Sequence, residues 1–134
     1  MWVVFDKDSF DDFDEAINLA ERKGYHVAWS NESFEYWLCL YFGRYDSALS
    51  RDDWCDILDD KLSESGYDSY EKNREDIFDV LNEVGDHDKA LRFARSVRQS
   101  YGAGESPSRR NPCTTVDLLV DKLTQALEGW EEER

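Results

Sequence analysis

Cysteine, proline and histidine are scarce in this chain of 134 residues, and their scarcity excludes several classes of protein. The 3 cysteines, at positions 39, 55 and 113, are too few and too scattered for a disulfide framework and form no Cys-x-x-Cys pair. Neither of the 2 histidines has a zinc-like partner nearby in the sequence. This cysteine usage is typical of a reducing cytoplasm, where we expect the chain to reside.

Long apolar runs and several well-known motifs are also missing. No stretch reaches the roughly 18 apolar residues that a membrane span requires. The opening residues MWVVFDKD lack the basic start and long apolar stretch of a signal peptide. The sequence contains no Gly-x-Ser-x-Gly, no Walker loop and no Gly-x-Gly-x-x-Gly, so it does not indicate a serine hydrolase or a common nucleotide-binding fold.

Acidic residues dominate the charge of the chain. It has 31 Asp and Glu against 16 Lys and Arg, a formal net charge of −15. Such a surface repels phosphate on average, which argues against a simple nucleic-acid coat protein. It leaves open a site where metal ions lie between carboxylates and phosphate. With 40% hydrophobic and 14% aromatic residues, the chain is expected to fold as a single domain over residues 1–134.

The first thirty residues predict a βαβ unit. A β-branched and aromatic run over 2–5 predicts a buried strand that ends at Asp6, and YHVAW over 25–29 predicts a second strand. Between them, Ser9 and Asp12 predict a helix start and Gly24 predicts its end. A connection of this length indicates parallel strands. The inward face of the helix is predicted to carry Phe10, Phe13, Ile17 and Ala20.

The remainder predicts helices, and the fold class is therefore α/β, a βαβ unit with a short parallel sheet followed by a mostly helical body. Predicted helices cover 33–42, 50–66 (with a Ser50–Asp53 cap), 77–84, 88–101 and a last segment through 130 that Thr114 or Thr115 caps. Gly102 to Pro112 form the clear loop. Residues expected to face inward include Phe78 in one helix and, in the last helix, Val116, Leu119, Leu123, Ala126 and Trp130.

Only two strands are predicted, and a two-stranded parallel sheet is poorly supported by itself. Either the chain supplies part of a larger sheet, or an upstream strand is missing from it. Unpaired strand edges recruit partners, so we expect a homodimer or stabilisation by a partner chain.

Two carboxylates directly follow the first predicted strand. Asp6 and Asp8 lie at its C-terminal end, which in α/β sheets borders the ligand-binding crevice. An Asp-x-Asp pair can hold Mg²⁺ or Mn²⁺ through oxygen ligands while a substrate phosphate completes the shell. The alternative is that these residues, like Asp11, Asp12 and Asp14 after them, simply complement a helix dipole.

The segment after the second predicted strand reaches the same edge if the strands are parallel. Asn31 is placed either to cap the following helix or to take part in the site. Glu35 stands in an otherwise apolar stretch, where a carboxylate must pair, bind metal or reach solvent.

Residues 89–110 carry six basic side chains against one acidic side chain, which is +5 in a strongly negative chain. One interpretation of this segregation is a local anion site or a subunit contact. The other is that these basic residues simply flank a helix C-terminus. The candidates for phosphate or nucleic-acid contact are Arg92, Arg95, Arg109 and Arg110. A polar group follows just beyond them and consists of Asn111, Thr114 and Thr115. It either ends the loop and caps the next helix, or it binds a phosphate or the backbone of a partner chain.

Three segments in order resemble the RloB-like family: VVFDKDSFDDFDEAINLA, VAWSNESFEYWLCLYF and NPCTTVDLLVDKL. That family is similar to the Toprim fold. Its members, like the related AbiL systems, pair with an ATPase in loci linked to restriction and abortive phage infection. The resemblance therefore implies an antiviral defence protein, an RloA-like ATPase partner and Mg²⁺-dependent cleavage of nucleic acid.

The resemblance also implies roles for particular residues. Asp6 and Asp8 match the Asp-x-Asp of a Toprim metal site, and Glu35 is a further catalytic candidate. Two features depart from the family pattern. The strand that carries the Toprim glutamate has no counterpart, and the usual Asn-Pro-Cys-Phe-Glu reads Asn31-Glu32-Ser33-Phe34-Glu35 here. We therefore expect a nuclease-type site that is incomplete, and an isolated chain that is inactive. The alternative is a non-catalytic acidic module that docks on the ATPase.

Overall fold

A three-stranded mixed sheet forms the centre of the computed structural model, which describes residues 1–8, 11–67 and 76–132, without the side chains of 130–132. Strand β1 (Trp2–Asp6) pairs in parallel with β2 (His26–Asn31), and β2 pairs antiparallel with β3 (Cys113–Thr114), in the order β1-β2-β3. The parallel β1–β2 pair confirms the predicted βαβ unit. The third strand was not predicted, because two residues are too short for an alternating pattern and are defined only by pairing with β2.

Helix α1 (Phe13–Arg22) connects the two parallel strands and buries Phe13, Ile17 and Ala20, as predicted. It begins at Phe13, after Asp12, whose side chain makes no capping hydrogen bond. The predicted cap at Ser9 and the inward position of Phe10 lie outside the described residues. Gly24 has a φ of 89°, in the left-handed region that glycine adopts without strain, and it ends the helical segment as expected.

Helices α2 (Phe34–Cys39) and α3 (Arg51–Glu64) pack together as the main core. Helix α2 is shorter than the predicted 33–42 because the amides of residues 40–42 bond to carbonyls three positions back and tighten the chain into turns. The Ser50–Asp53 capping box at the start of α3 is confirmed. Large side chains that are fully buried in this core are Tyr36, Trp37, Trp54, Leu58 and Leu62.

The second half of the chain adds α4 (Ile77–Val84), α5 (His87–Gln99), a short 3-10 helix (Pro107–Arg109) and α6 (Val116–Glu132). Phe78 was expected to face inward but is 47% exposed, since α4 buries Val80 and Leu81 instead. The predicted polar stretch over 68–74 lies outside the described residues.

Helix α6 extends beyond the body that it packs on. Val116 is buried and Leu119 is half-buried, but Leu123 is 57% exposed and Ala126 is also exposed. The prediction that these last two face the core is therefore wrong. The apolar stripe continues along the helix, but the described residues provide no neighbour to cover its second half.

Candidate metal and phosphate site

The backbone after β1 positions two aspartates at the C-terminal edge of the sheet. Asp6 pairs with Ser30 in the parallel register. The Lys7 amide donates to Ser30 O at 3.0 Å, and the Asp8 amide donates to Glu32 O at 2.9 Å, so the chain stays beside β2 after the strand ends. Asp8 has a φ of 44°, in the left-handed region that aspartate tolerates better than most residues.

Arg51 joins these two carboxylates. Its Nη2 donates to Asp6 Oδ2 at 2.6 Å and to Asp8 Oδ2 at 2.7 Å. The three side chains are each between 21% and 33% exposed. The predicted pair of aspartates is thus brought together, and a single positive nitrogen lies between the two oxygens.

Arg51 was missed in the sequence because more than forty residues separate it from the aspartates. It is the first residue of α3, where the positive end of the helix dipole disfavours a cation. The sequence does offer one signal: an arginine directly after a serine cap is unfavourable, so its side chain needs hydrogen-bond acceptors from another part of the chain.

Burial and charge act in opposite directions on this cluster. Burial raises the pKa of Asp6 above its usual value, more than the Phe34 amide and the charge of Arg51 lower it. Burial alone would lower the pKa of Arg51, but the carboxylates of Asp8, Glu35 and Asp6 raise it. The guanidinium therefore stays charged, while Asp6 is less acidic than an exposed aspartate.

Glu35 lies in α2 and is only 3% exposed, so among the three alternatives for this carboxylate, exposure to solvent is wrong. It acts electrostatically on both Asp6 and Arg51, which places a third carboxylate in the surroundings of the pair. Burial, with Glu35 as a further cause, also raises the pKa of Cys55 to about 11.

Asn31 holds a loop and does not cap α2, whose cap position is Ser33. Its Nδ2 donates to Pro107 O and Ser108 O, both at 3.1 Å. Asp14, which the sequence predicts only to complement a helix dipole, accepts from the Ser108 amide at 2.8 Å and from Ser108 Oγ at 2.5 Å. The short 3-10 helix is thereby fastened to the edge of the sheet where β2 ends.

Two buried oxygens on the segment after β2 have no hydrogen-bond partner among the described residues. They are Asn31 Oδ1 and Ser33 Oγ, and both residues are fully buried. Buried acceptors without partners are uncommon and call for an explanation, of which an ion or a water is one.

Thr114 and Thr115 bind β2 through their side chains. Thr114 Oγ1 lies 2.7 Å from Ser30 Oγ and accepts from the Val116 amide at 3.2 Å. Thr115 Oγ1 accepts from the Trp29 amide at 2.9 Å. Both threonines are buried, so their hydroxyls are engaged in the fold. Asn111 is half-buried just before them, and its Oδ1 has no partner in the described part of the chain.

The basic stretch divides into separate groups. Arg92 and Arg95 are exposed on α5 and border a cavity of about 170 Å³ between α5 and α6. Arg98 donates to both carboxylate oxygens of Asp117, at 2.7 and 3.0 Å, and is a structural residue.

The other two arginines lie around the 3-10 helix. Arg110 donates to Glu105 O at 3.0 Å and holds its own loop, whereas Arg109 is exposed on the 3-10 helix that Asn31 and Asp14 attach to the sheet edge. Of the four predicted phosphate contacts, Arg109 is therefore the one on the segment fastened to the end of β2 by Asn31 and to α1 by Asp14.

A wider search of the described side chains finds no group of three or more His, Cys, Asp or Glu that could hold a metal ion. None of the described helices is both long and apolar enough to cross a membrane.

Comparison with known proteins gives one family match. A family model described as RloB-like protein matches residues 1–123. No curated protein and no solved structure matches the chain.

Proposed function

The chain belongs to the RloB-like family, and we propose that it acts in phage defence through a Toprim-like, magnesium-dependent site of the nuclease type. Asp6 and Asp8 are the proposed metal ligands, and Glu35 is a further catalytic candidate. The resemblance that implies these roles covers most of the chain.

One observation carries the proposal: the two aspartate oxygens converge on a single cation. Asp6 Oδ2 and Asp8 Oδ2 lie 2.6 and 2.7 Å from the same nitrogen of Arg51. Carboxylate oxygens are the ligands that Mg²⁺ and Mn²⁺ prefer, and an ion held by one or two carboxylates completes its shell with water and substrate phosphate. Ser33, whose buried Oγ has no partner among the described residues, directly precedes Phe34, whose amide bonds to Asp6, and adds to this fit.

The chain's own residues would have separate roles in metal binding and phosphate binding. A bound divalent cation activates water and stabilises a leaving oxygen. Asp6 and Asp8 would hold it at the sheet edge, and the buried charge of Glu35 would strengthen the field there. Arg109, exposed on the attached 3-10 helix, would receive a backbone phosphate of DNA or RNA. Arg92 and Arg95 would contact phosphate at a separate place, on α5.

We propose further that these ligands make only part of a site. Loss of one member of a metal cluster removes on the order of 4 kcal/mol or more of transition-state stabilisation. The 134 residues alone are therefore expected to show no robust cleavage of plasmid, single-stranded DNA or RNA with Mg²⁺. Cleavage that Asp6→Ala abolishes would contradict this expectation, and Glu35→Gln would then show whether Glu35 supplies the missing ligand.

Calorimetric titration with Mn²⁺ and Mg²⁺ tests the metal site directly. Weak binding is expected for the wild-type chain and weaker binding for Asp8→Asn, because one ligand loses its charge. Asp12→Asn is the matched control, since Asp12 is exposed at the start of α1 and makes no capping hydrogen bond. No heat above background up to millimolar metal in any variant would remove the metal site.

The second candidate function is a non-catalytic module that docks on an RloA-like ATPase or on a second copy of the chain. The observation that favours it is β1, an edge of the described sheet on which Val4 is 49% exposed. Val4→Lys should weaken association measured by light scattering. Leu19→Lys, at an equally exposed leucine of α1, should leave it unchanged. A monomer at all concentrations would contradict self-association.

A further inference from the structure

Arg51 occupies the oxygens that the proposed function assigns to a divalent cation. Its Nη2 is within 2.7 Å of both Asp6 Oδ2 and Asp8 Oδ2. A metal ion on those oxygens would compete with a charge-assisted hydrogen bond to each of them. Two positive groups cannot share the same pair of oxygens, because they repel strongly at that separation.

Two features of its surroundings disfavour the Arg51 guanidinium in this position. Arg51 Nε is buried and has no hydrogen-bond partner among the described residues. Arg51 also begins α3, where the helix dipole opposes a positive charge. Both features raise the free energy of the ion-paired position, and the attraction that keeps the side chain there comes from the carboxylates of Asp8, Glu35 and Asp6.

We propose that Arg51 is a built-in competitor of the divalent cation, which closes the aspartate pair when metal is absent and leaves it when metal binds. The inference rests on the proposed function, because it takes Asp6 and Asp8 as the metal ligands. Arg51 then sets a threshold for metal occupancy, so that the site fills only at a metal concentration high enough to displace the side chain.

Mn²⁺ titration by calorimetry, with Mn²⁺ as the probe, tests the competition without any activity assay. Arg51→Gln keeps a polar side chain, although a shorter one, and removes the cation. We expect it to bind Mn²⁺ about tenfold more tightly than the wild-type chain, which corresponds to about 1.4 kcal/mol. Its thermal midpoint without metal should fall, and the rise in that midpoint on adding Mn²⁺ should be larger than for the wild-type chain.

A matched variant controls for the change in net charge. Lys61→Gln removes one positive charge from the same helix, where Lys61 pairs only weakly with Glu64 at 3.7 Å. It should bind Mn²⁺ within about twofold of the wild-type chain, because exposed charges far from the site are screened.

The outcomes separate the inference from the proposed function. If the wild-type chain binds Mn²⁺, Asp8→Asn weakens that binding, and Arg51→Gln binds no more tightly than the wild type, competition is wrong and the metal site stands. If no variant binds up to millimolar Mn²⁺, both are wrong. Should Arg51→Gln fail to fold, Arg51→Lys carries the test. Its ammonium lacks the planar fork of a guanidinium, so affinity should rise several-fold. An unchanged affinity would overturn the proposal.

Discussion

Replacing Arg98 with methionine should destabilise the protein by breaking the ion pair that joins α5 to α6. The Arg98 guanidinium makes three hydrogen bonds: two to the Asp117 carboxylate, at 2.7 and 3.0 Å, and one to Thr114 O at 2.8 Å. The side chains of Arg98 and Asp117 are 18% and 7% exposed. Arg98→Met therefore leaves a buried carboxylate without its counter-charge.

The size of the loss follows from this geometry. Removing one partner of a buried ion pair costs about 3–5 kcal/mol, and the partial exposure of Arg98 places this case near the lower end. We expect the free energy of unfolding to fall by about 3 kcal/mol. Adding Asp117→Leu to Arg98→Met should recover about 2 kcal/mol, because no buried charge is then left unpaired and only the bond to Thr114 O stays lost.

Urea unfolding followed by tryptophan fluorescence measures these differences, since Trp54 and Trp37 are fully buried. Arg95→Met is the control: it removes an exposed arginine one turn earlier on α5 and should change stability by less than about 0.5 kcal/mol. A loss below about 1 kcal/mol for Arg98→Met, or a double variant no more stable than the single one, would refute the reasoning.

Two further predictions concern the core and the thiols. Gly85→Ala should lower the free energy of unfolding by about 1–3 kcal/mol in the same urea assay, because its new Cβ would lie 2.8 Å from Tyr41 Cβ. Gly104→Ala is the control and should be nearly neutral, since a Cβ there would have no neighbour within 4 Å. Equal losses of stability for the two variants would contradict the predicted clash at Gly85. Burial raises the pKa of the Cys55 thiol to about 11, so roughly one thiol in a thousand is ionised at pH 8. Ellman's reagent should label the native chain at least about tenfold more slowly than the chain in urea, and the native rate should increase up to pH 10. Equal rates in the native and urea-unfolded chains would contradict the raised thiol pKa.

Elements with a local signal could be predicted from the sequence. The Ser50–Asp53 capping box is such a signal, because its two hydrogen bonds connect residues three positions apart. Gly24 is another, since its positive φ follows from the turn that glycine alone makes without strain. The parallel pairing of β1 with β2 followed from the length of the connection between them.

Features that depend on distant partners could not be predicted. Strand β3 exists only because Cys113 and Thr114 pair with β2, more than eighty residues earlier. The apolar stripe on α6 has the same period where a neighbour covers it and where none of the described residues does, so the sequence pattern does not reveal that Leu123 is exposed. Arg98 belonged to a basic stretch by composition, although its partner Asp117 makes it structural.

For the aspartate pair, the sequence motif predicts where two carboxylates lie, but not which cation they prefer. The spacing of Asp6 and Asp8 indicated that two carboxylates share one sheet edge, and Arg51 lies between them. That same contact is what a purely structural ion pair would show and what a metal site closed by an internal cation would show. The two differ in whether the oxygens prefer the guanidinium to a divalent ion. Because this preference is a difference in free energy between two occupants, it is decided by the Mn²⁺ affinity of Arg51→Gln relative to the wild-type chain.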